Sequence, residues 1–280
     1  MNLTAEEKKT LRNLDVGKLY VRYFDIDRQE GFDGPGPIAQ LHFQDPDTAF
    51  FSSIDIVPTI YITTRALKSL QETEVDSLTD RMWRLIQSLH KDGLNTPLRE
   101  IQLDCDWTST TRGAYFRILE RLRTHISPQN ILLSSTIRLH QIKFRKRTGI
   151  PPADRGMLMF YNMGRLDHPE EENSILDLST GRDYLGKFKP YPIPLDAALP
   201  IFSWGVLIRE RRPIKVIHGM ELPATGPGTR FEKSRRNRVK VRESHYFRGH
   251  YVYPGDVIRL ENVTEDALTE AAKLLAATLE

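Results

Sequence analysis

The chain has 280 residues, 39% of them hydrophobic and 28% charged. That composition excludes a disordered chain and suits one large globular domain. No apolar run approaches the roughly 18 residues of a membrane-spanning helix, and a single cysteine, Cys105, excludes an internal disulfide scaffold. The net charge of +3 is uneven, because residues 205–250 hold twelve Lys/Arg and four Glu, or +8, leaving −5 for the remainder.

Thr4-Ala-Glu-Glu7 reads as a capping box that starts a helix running to about residue 14. Leu19 to Phe24 is a compact apolar run ending in Asp25-Ile-Asp27, which predicts a buried strand. Residues 29–53, with four glycine or proline positions between Gly34 and Pro37, predict a long loop. Ile56 to Ile62 is the next strand. Helical spacing of Leu78, Met82, Leu85, Ile86 and Leu89 predicts a helix over 76–89, with Trp83 in the core. Glu100 to Asp104 reads as a strand, 111–122 as a helix, and 131–137 and 157–161 as strands. A short helix follows over 177–185. Residues 197–204 form an apolar strand, with a hairpin at 205–209 and 213–218 appended to it. Asp256 to Leu260 is expected as the last strand, and 264–279 as a terminal helix capped by Thr264.

Strands that are continuous apolar runs, alternating with helices, point to a parallel sheet covered by helices. The expected fold is a (β/α)8 TIM-type barrel over 1–280 as a single domain, with 205–250 as a hairpin and basic insertion within it. Seven core strands are counted where a closed barrel wants eight, so the first strand is expected upstream of residue 4. A doubly wound open sheet is the alternative, but it calls for a Gly-rich phosphate turn, and no GxGxxG or P-loop is present.

Functional residues of barrels lie at strand C-termini, where they share one mouth. Those ends carry Asp25, Asp104, Asp106, Trp107, Arg138, His140, Tyr161, Asn162, Trp204 and Glu261. Paired carboxylates serve glycoside chemistry, and aromatic rings stack on the apolar faces of sugars. Asp104 and Asp106 are two apart on a strand, so their side chains point the same way and raise each other's pKa. The competing reading has one of them capping the next helix and the other pairing with Arg138. His140 serves equally well as a substrate contact or as a hydrogen-bonded structural residue. Cys105 faces away from the pocket and reads as packing. Without HExxH or CxxC, no metal or cofactor is expected.

Asp104-x-Asp106 resembles the inner part of the chitinase-type DxxDxDxE strand motif of family 18 glycoside hydrolases, and Met159-Phe-Tyr-Asn162 resembles that family's M-x-Y-D. More closely, LYVRYFDID, IQLDCDW, MLMFYNMG and ALPIFSWG resemble a family of bacterial, usually exported barrel proteins, a resemblance that covers nearly the whole chain but whose motifs name no activity. The chitinase-type resemblance implies a glycan or oligosaccharide partner and Asp104 and Asp106 as catalytic carboxylates, and the bacterial family implies export to the cell envelope. A native start at Met1, which carries no signal segment, would instead imply the cytoplasm.

The departures from the chitinase motif are Ile101 for its first Asp, Thr108 for its catalytic Glu and Asn162 for the Asp of M-x-Y-D. Threonine cannot serve as a carboxylic acid donor. Three readings follow: a glycoside hydrolase-like enzyme, a noncatalytic glycan-binding barrel, and an anion or nucleic-acid binder using 230–242. Glu232 and Glu243 interrupt that basic stripe and argue against nucleic acid.

Overall fold

The computed structural model describes all residues except 1–2, 32–33, 169, 187–189 and 280. The chain divides into two compact units: Met1–Leu158 with Tyr191–Asp196, and Met159–Pro190 with Ala197–Glu280.

The first unit is built on a seven-stranded sheet. Its strands are β1 (Lys18–Arg28), β2 (Pro35–Ile38), β3 (Asp55–Ile62), β4 (Glu100–Asp104), β5 (Leu132–Arg138), β6 (Arg155–Met159) and β7 (Leu195–Ala198), in the order β2-β1-β3-β4-β5-β6-β7. The β1–β3, β3–β4 and β4–β5 pairings are parallel, as the continuous apolar runs predict, whereas β2 joins β1 antiparallel. Residues 29–53 are therefore not all loop: Pro35–Ile38 is an edge strand, where prolines without an N–H are tolerated, and Thr48–Phe51 is a short helix. The helix Glu72–Gly93 buries Val75, Leu78, Met82, Trp83 and Ile86 along one face, and Arg112–Ile126 buries Tyr115, Ile118, Leu119 and Leu122. The capping box at Thr4 forms, with the Thr4 hydroxyl accepting from the Glu7 N–H and Glu7 accepting from the Thr4 N–H.

The second unit contains β8 (Trp204–Arg209), β9 (Arg212–His218), β10 (Phe231–Arg235), β11 (Arg238–Val241), β12 (His245–Phe247), β13 (His250–Val252) and β14 (Val257–Glu261). Five of these form an antiparallel sheet in the order β10-β11-β14-β8-β9. Leu207, Ile217, Met220, Phe231, Val239 and Ile258 form its buried core. At Gly205 a Cβ would sit 1.9 Å from the Met220 sulfur, so a larger residue would have to displace that buried side chain.

Two expectations are corrected. Residues 256–260 were expected as the last strand of the parallel sheet, but β14 lies inside the antiparallel sheet, between β11 and β8. A strand buried on both faces shows the same apolar run in either sheet type, so periodicity does not report pairing direction. The single strand expected over 197–204 is two strands, broken at Pro200, which cannot donate to a ladder, and at Ile201, which is 89% exposed.

Candidate functional site

In the first unit, register builds the site. Asp25 of β1 lies opposite Tyr61 of β3, and Tyr61 lies opposite Asp104 of β4. Laterally paired residues of a parallel sheet point to the same side, so Asp25, Tyr61 and Asp104 form one row near the strand C-termini. The Thr136 hydroxyl of β5 extends the row by donating to Asp104 Oδ1 at 2.6 Å.

Arg22 joins this row through an irregularity. Residues three apart on a regular strand face opposite sides. The register slips between Arg22 and Phe24, and this one-residue bulge at Tyr23 turns Arg22 to the Asp25 side. Its guanidinium makes two hydrogen bonds to Asp25, both 2.5 Å, and lies 4.9 Å from the Tyr61 ring centroid. Arg22 was not anticipated from sequence because the alternation rule puts it on the wrong face. Tyr61 and Thr136 were not anticipated either, since they sit within strands rather than beyond their ends.

Asp106 follows β4 and is held by Arg138, through Nε and through a second nitrogen at 3.3 Å. Of the competing reading, the pairing with Arg138 is found for Asp106, whereas neither aspartate caps the next helix, whose N-cap is Thr111. Burial pushes the Asp104 carboxyl above the ordinary aspartate range, with the Asp106 charge adding to the rise, while the Thr136 hydrogen bond and Arg138 pull the other way. Tyr61 is also raised, first by burial and then by the charges of Asp106 and Asp104. His140 lies near the same pair: loss of hydration lowers its pKa most, Asp106 opposes that, and Arg138 reinforces it. Thr108 hydrogen-bonds Thr110 at 2.9 Å and Thr111 at 3.3 Å, and Thr111 accepts the Thr108 N–H at 2.9 Å. Cys105 is buried, and burial pushes its thiol pKa up, as its packing role predicts.

Trp107 is corrected as a sugar platform. It is 0% exposed, stacks on Tyr115 with ring centroids 5.1 Å apart, and donates its indole N–H to the Thr148 carbonyl at 2.9 Å. A strand-end tryptophan with its N–H satisfied internally is core packing.

In the second unit the sequence-predicted aromatics take their place in a longer row. Tyr161 meets Phe202 edge to face at 5.8 Å, Phe202 meets Trp204 at 5.3 Å, and Trp204 meets His218 edge to face at 5.7 Å. Phe202, Trp204 and Tyr161 are half-buried and His218 is exposed. Phe202 and His218 were not anticipated; the signal for Phe202 was its place two residues before Trp204. Asn162 is exposed, adopts φ 55° and donates its backbone N–H to the Ile175 carbonyl at 2.7 Å.

Glu261, expected as a substrate contact, is a structural carboxylate. One oxygen accepts from Arg259 Nε at 2.7 Å; the other accepts from the Ser174 N–H at 2.8 Å, the Ser174 hydroxyl at 2.6 Å and the Trp204 indole at 3.0 Å. Arg259 in turn donates to the Leu166 and His168 carbonyls at 3.2 and 3.1 Å. The pair ties the 166–174 segment to β14 and orients Trp204. Among the described residues no group of His, Cys, Asp and Glu is arranged to hold a metal ion, and no helix is long and apolar enough to cross a membrane.

No protein-family model matches the chain, and no curated sequence is similar to it. Solved structures are similar in fold at low sequence identity. A chitinase of Chromobacterium violaceum superposes with a TM-score of 0.59 at 10% identity, over 99% of this chain and 89% of that one. A class V chitinase of Nicotiana tobaccum gives 0.55 at 13%, over 99% and 89%. The spore cortex-lytic enzyme SleL of Bacillus megaterium gives 0.56 at 10%, over 99% of this chain and 65% of that one. The chain is therefore similar in fold to these chitinases and to this spore cortex-lytic enzyme.

Proposed function

We propose that the protein is a glycan-binding protein of chitinase-like fold. In this reading it engages an oligosaccharide through the carboxylates of the first unit. The observation that carries it is the row of Asp25, Tyr61 and Asp104, with Asp106 held in place by Arg138. Ionised carboxylates accept hydrogen bonds from sugar hydroxyls, and carboxylates already fixed by arginine or threonine lose little freedom on binding. Thr108, where the resemblance implies the acid, is engaged with its threonine neighbours. That supports binding without cleavage.

Hydrolysis is the second reading, and the raised pKa of Asp104 favours it. A carboxyl whose pKa is raised holds its proton to higher pH, the direction a general acid needs to protonate a leaving group. The test is a panel of neutral and acidic oligosaccharides assayed for binding and for release of reducing ends, with wild type, Asp104→Asn and Asp106→Asn. At least tenfold weaker binding in Asp106→Asn, with no release by any form, is the expected result. Release abolished by Asp104→Asn would establish the second reading. Binding indifferent to both substitutions would remove these carboxylates from the function.

A further inference from the structure

The second unit also holds a cleft of about 500 Å3 beside the β10–β11 turn and the end of β14. That volume lies within the roughly 300–1,000 Å3 of small-molecule sites. Arg235, Arg236 and Arg238 line it, with Leu222 and Leu260 supplying apolar wall and Glu261 part of the floor.

The charges do not balance. Arg259, behind the floor, is neutralised by Glu261, and Arg235 pairs with Glu170 at 2.7 Å. Glu172 is the other lining carboxylate. Of the residues that line the cleft, three are arginines and two, Glu172 and Glu261, are carboxylates. Arg238 is buried and donates to the Glu171 carbonyl at 2.7 Å. Burial lowers its pKa most, and the like charges of Arg259 and Arg235 lower it further, with Glu170 and Glu172 opposing. Arg236 is exposed and has no carboxylate partner among the described residues. Packed guanidinium groups in excess of carboxylates attract an anion, and a planar guanidinium matches an oxyanion in two-point geometry. Leu222 and Leu260 are partly buried hydrophobics packed on the core of the antiparallel sheet. An apolar wall beside arginines suits a ring that carries an anion better than a bare ion.

We propose that this cleft binds the oxyanion of an acidic sugar residue, either a uronate carboxylate or a sugar-borne phosphate, with Arg236 gripping the anion and Leu222 and Leu260 against the ring. The inference rests on the glycan reading above and adds a substrate class to it, at a place distinct from the carboxylate row.

The experiment titrates the full chain, by calorimetry at low ionic strength, with tetragalacturonate, its methyl-esterified neutral counterpart and glucose 6-phosphate. Wild type is compared with Arg236→Glu, Arg236→Gln and Lys233→Glu, with melting curves as folding controls. Lys233 is exposed on the same hairpin and does not line the cleft. At least one acidic ligand should bind tenfold or more tighter than the neutral one. Arg236→Glu should lose at least tenfold and Arg236→Gln less, while Lys233→Glu should change binding less than twofold. Which acidic ligand binds identifies carboxylate or phosphate as the anion. Equal losses in Arg236→Glu and Lys233→Glu would mean a diffuse field and overturn the site, as would indifference to Arg236→Glu. If neutral oligosaccharides bind through Asp106 while charge and Arg236 are irrelevant, this inference alone fails. If no oligosaccharide binds, the glycan reading fails with it.

Discussion

Two arginine–carboxylate pairs stand near strand ends, and they do opposite work. In the first unit Arg138 holds Asp106, with side chains 20% and 42% exposed; in the second Arg259 holds Glu261, with both at 0%. From sequence both carboxylates read alike, as acids at the end of an apolar strand. The buried pair spends every acceptor on the protein itself, on Ser174, Trp204 and Arg259. The half-buried pair leaves the Asp106 side chain 42% exposed, within reach of a ligand. Burial, not residue type, sets Glu261 apart from Asp106.

The sharpest way to break that comparison is Glu261→Ala. It strands a fully buried guanidinium and three further donors, so it should cost about 3–5 kcal/mol, read by chemical denaturation. A loss below about 1 kcal/mol would show that the Glu261 network is not structural. Trp107→Phe comes next. It leaves the Thr148 carbonyl without its indole donor and opens a small void, so stability should fall by about 1–3 kcal/mol. Ligand binding by the folded fraction should stay as in wild type; a binding defect there would return Trp107 to the site.

Asp106→Asn should do the reverse of Glu261→Ala. An exposed pair contributes about 0–1 kcal/mol to folding, so the melting curve should barely move while oligosaccharide binding drops at least tenfold. Equal melting shifts for the Glu261 and Asp106 variants would erase the distinction.

The smallest effect is pH-dependent. Asp104 has a folded pKa above its unfolded value, so its ionisation opposes folding. That penalty is present at neutral pH, is relieved as pH falls through the folded pKa, and is gone below the unfolded one. Asp104→Asn lacks the penalty and can still accept from Thr136. It should melt at or above wild type at pH 7, with the gap closing on acidification. A gap that widens toward low pH would contradict the raised pKa.

The sequence by itself determined the local elements: the capping box at Thr4, strand β4 to the residue, the amphipathic helix around Trp83, and the carboxylates at the ends of β1 and β4. Each follows from short-range chemistry, such as a side-chain cap, an apolar run or a 3.6-residue period. Three things waited for tertiary structure. The bulge at Tyr23 shifts the alternation of β1 by one residue, and so decides that Arg22 and Asp25 share a face. The pairing of β14 with β8 and β11 decides which sheet it serves, because hydrogen-bond partners far apart in the chain leave no trace in a strand's own apolar pattern. The packing of Tyr115 and the Thr148 carbonyl around Trp107 decides that it is core, while Phe202 and His218 beside Trp204 place that ring in a partly open row. Two tryptophans after apolar strands look alike in sequence; their partners lie as far as 41 positions away for Trp107 and 57 for Trp204, and only the fold brings those together.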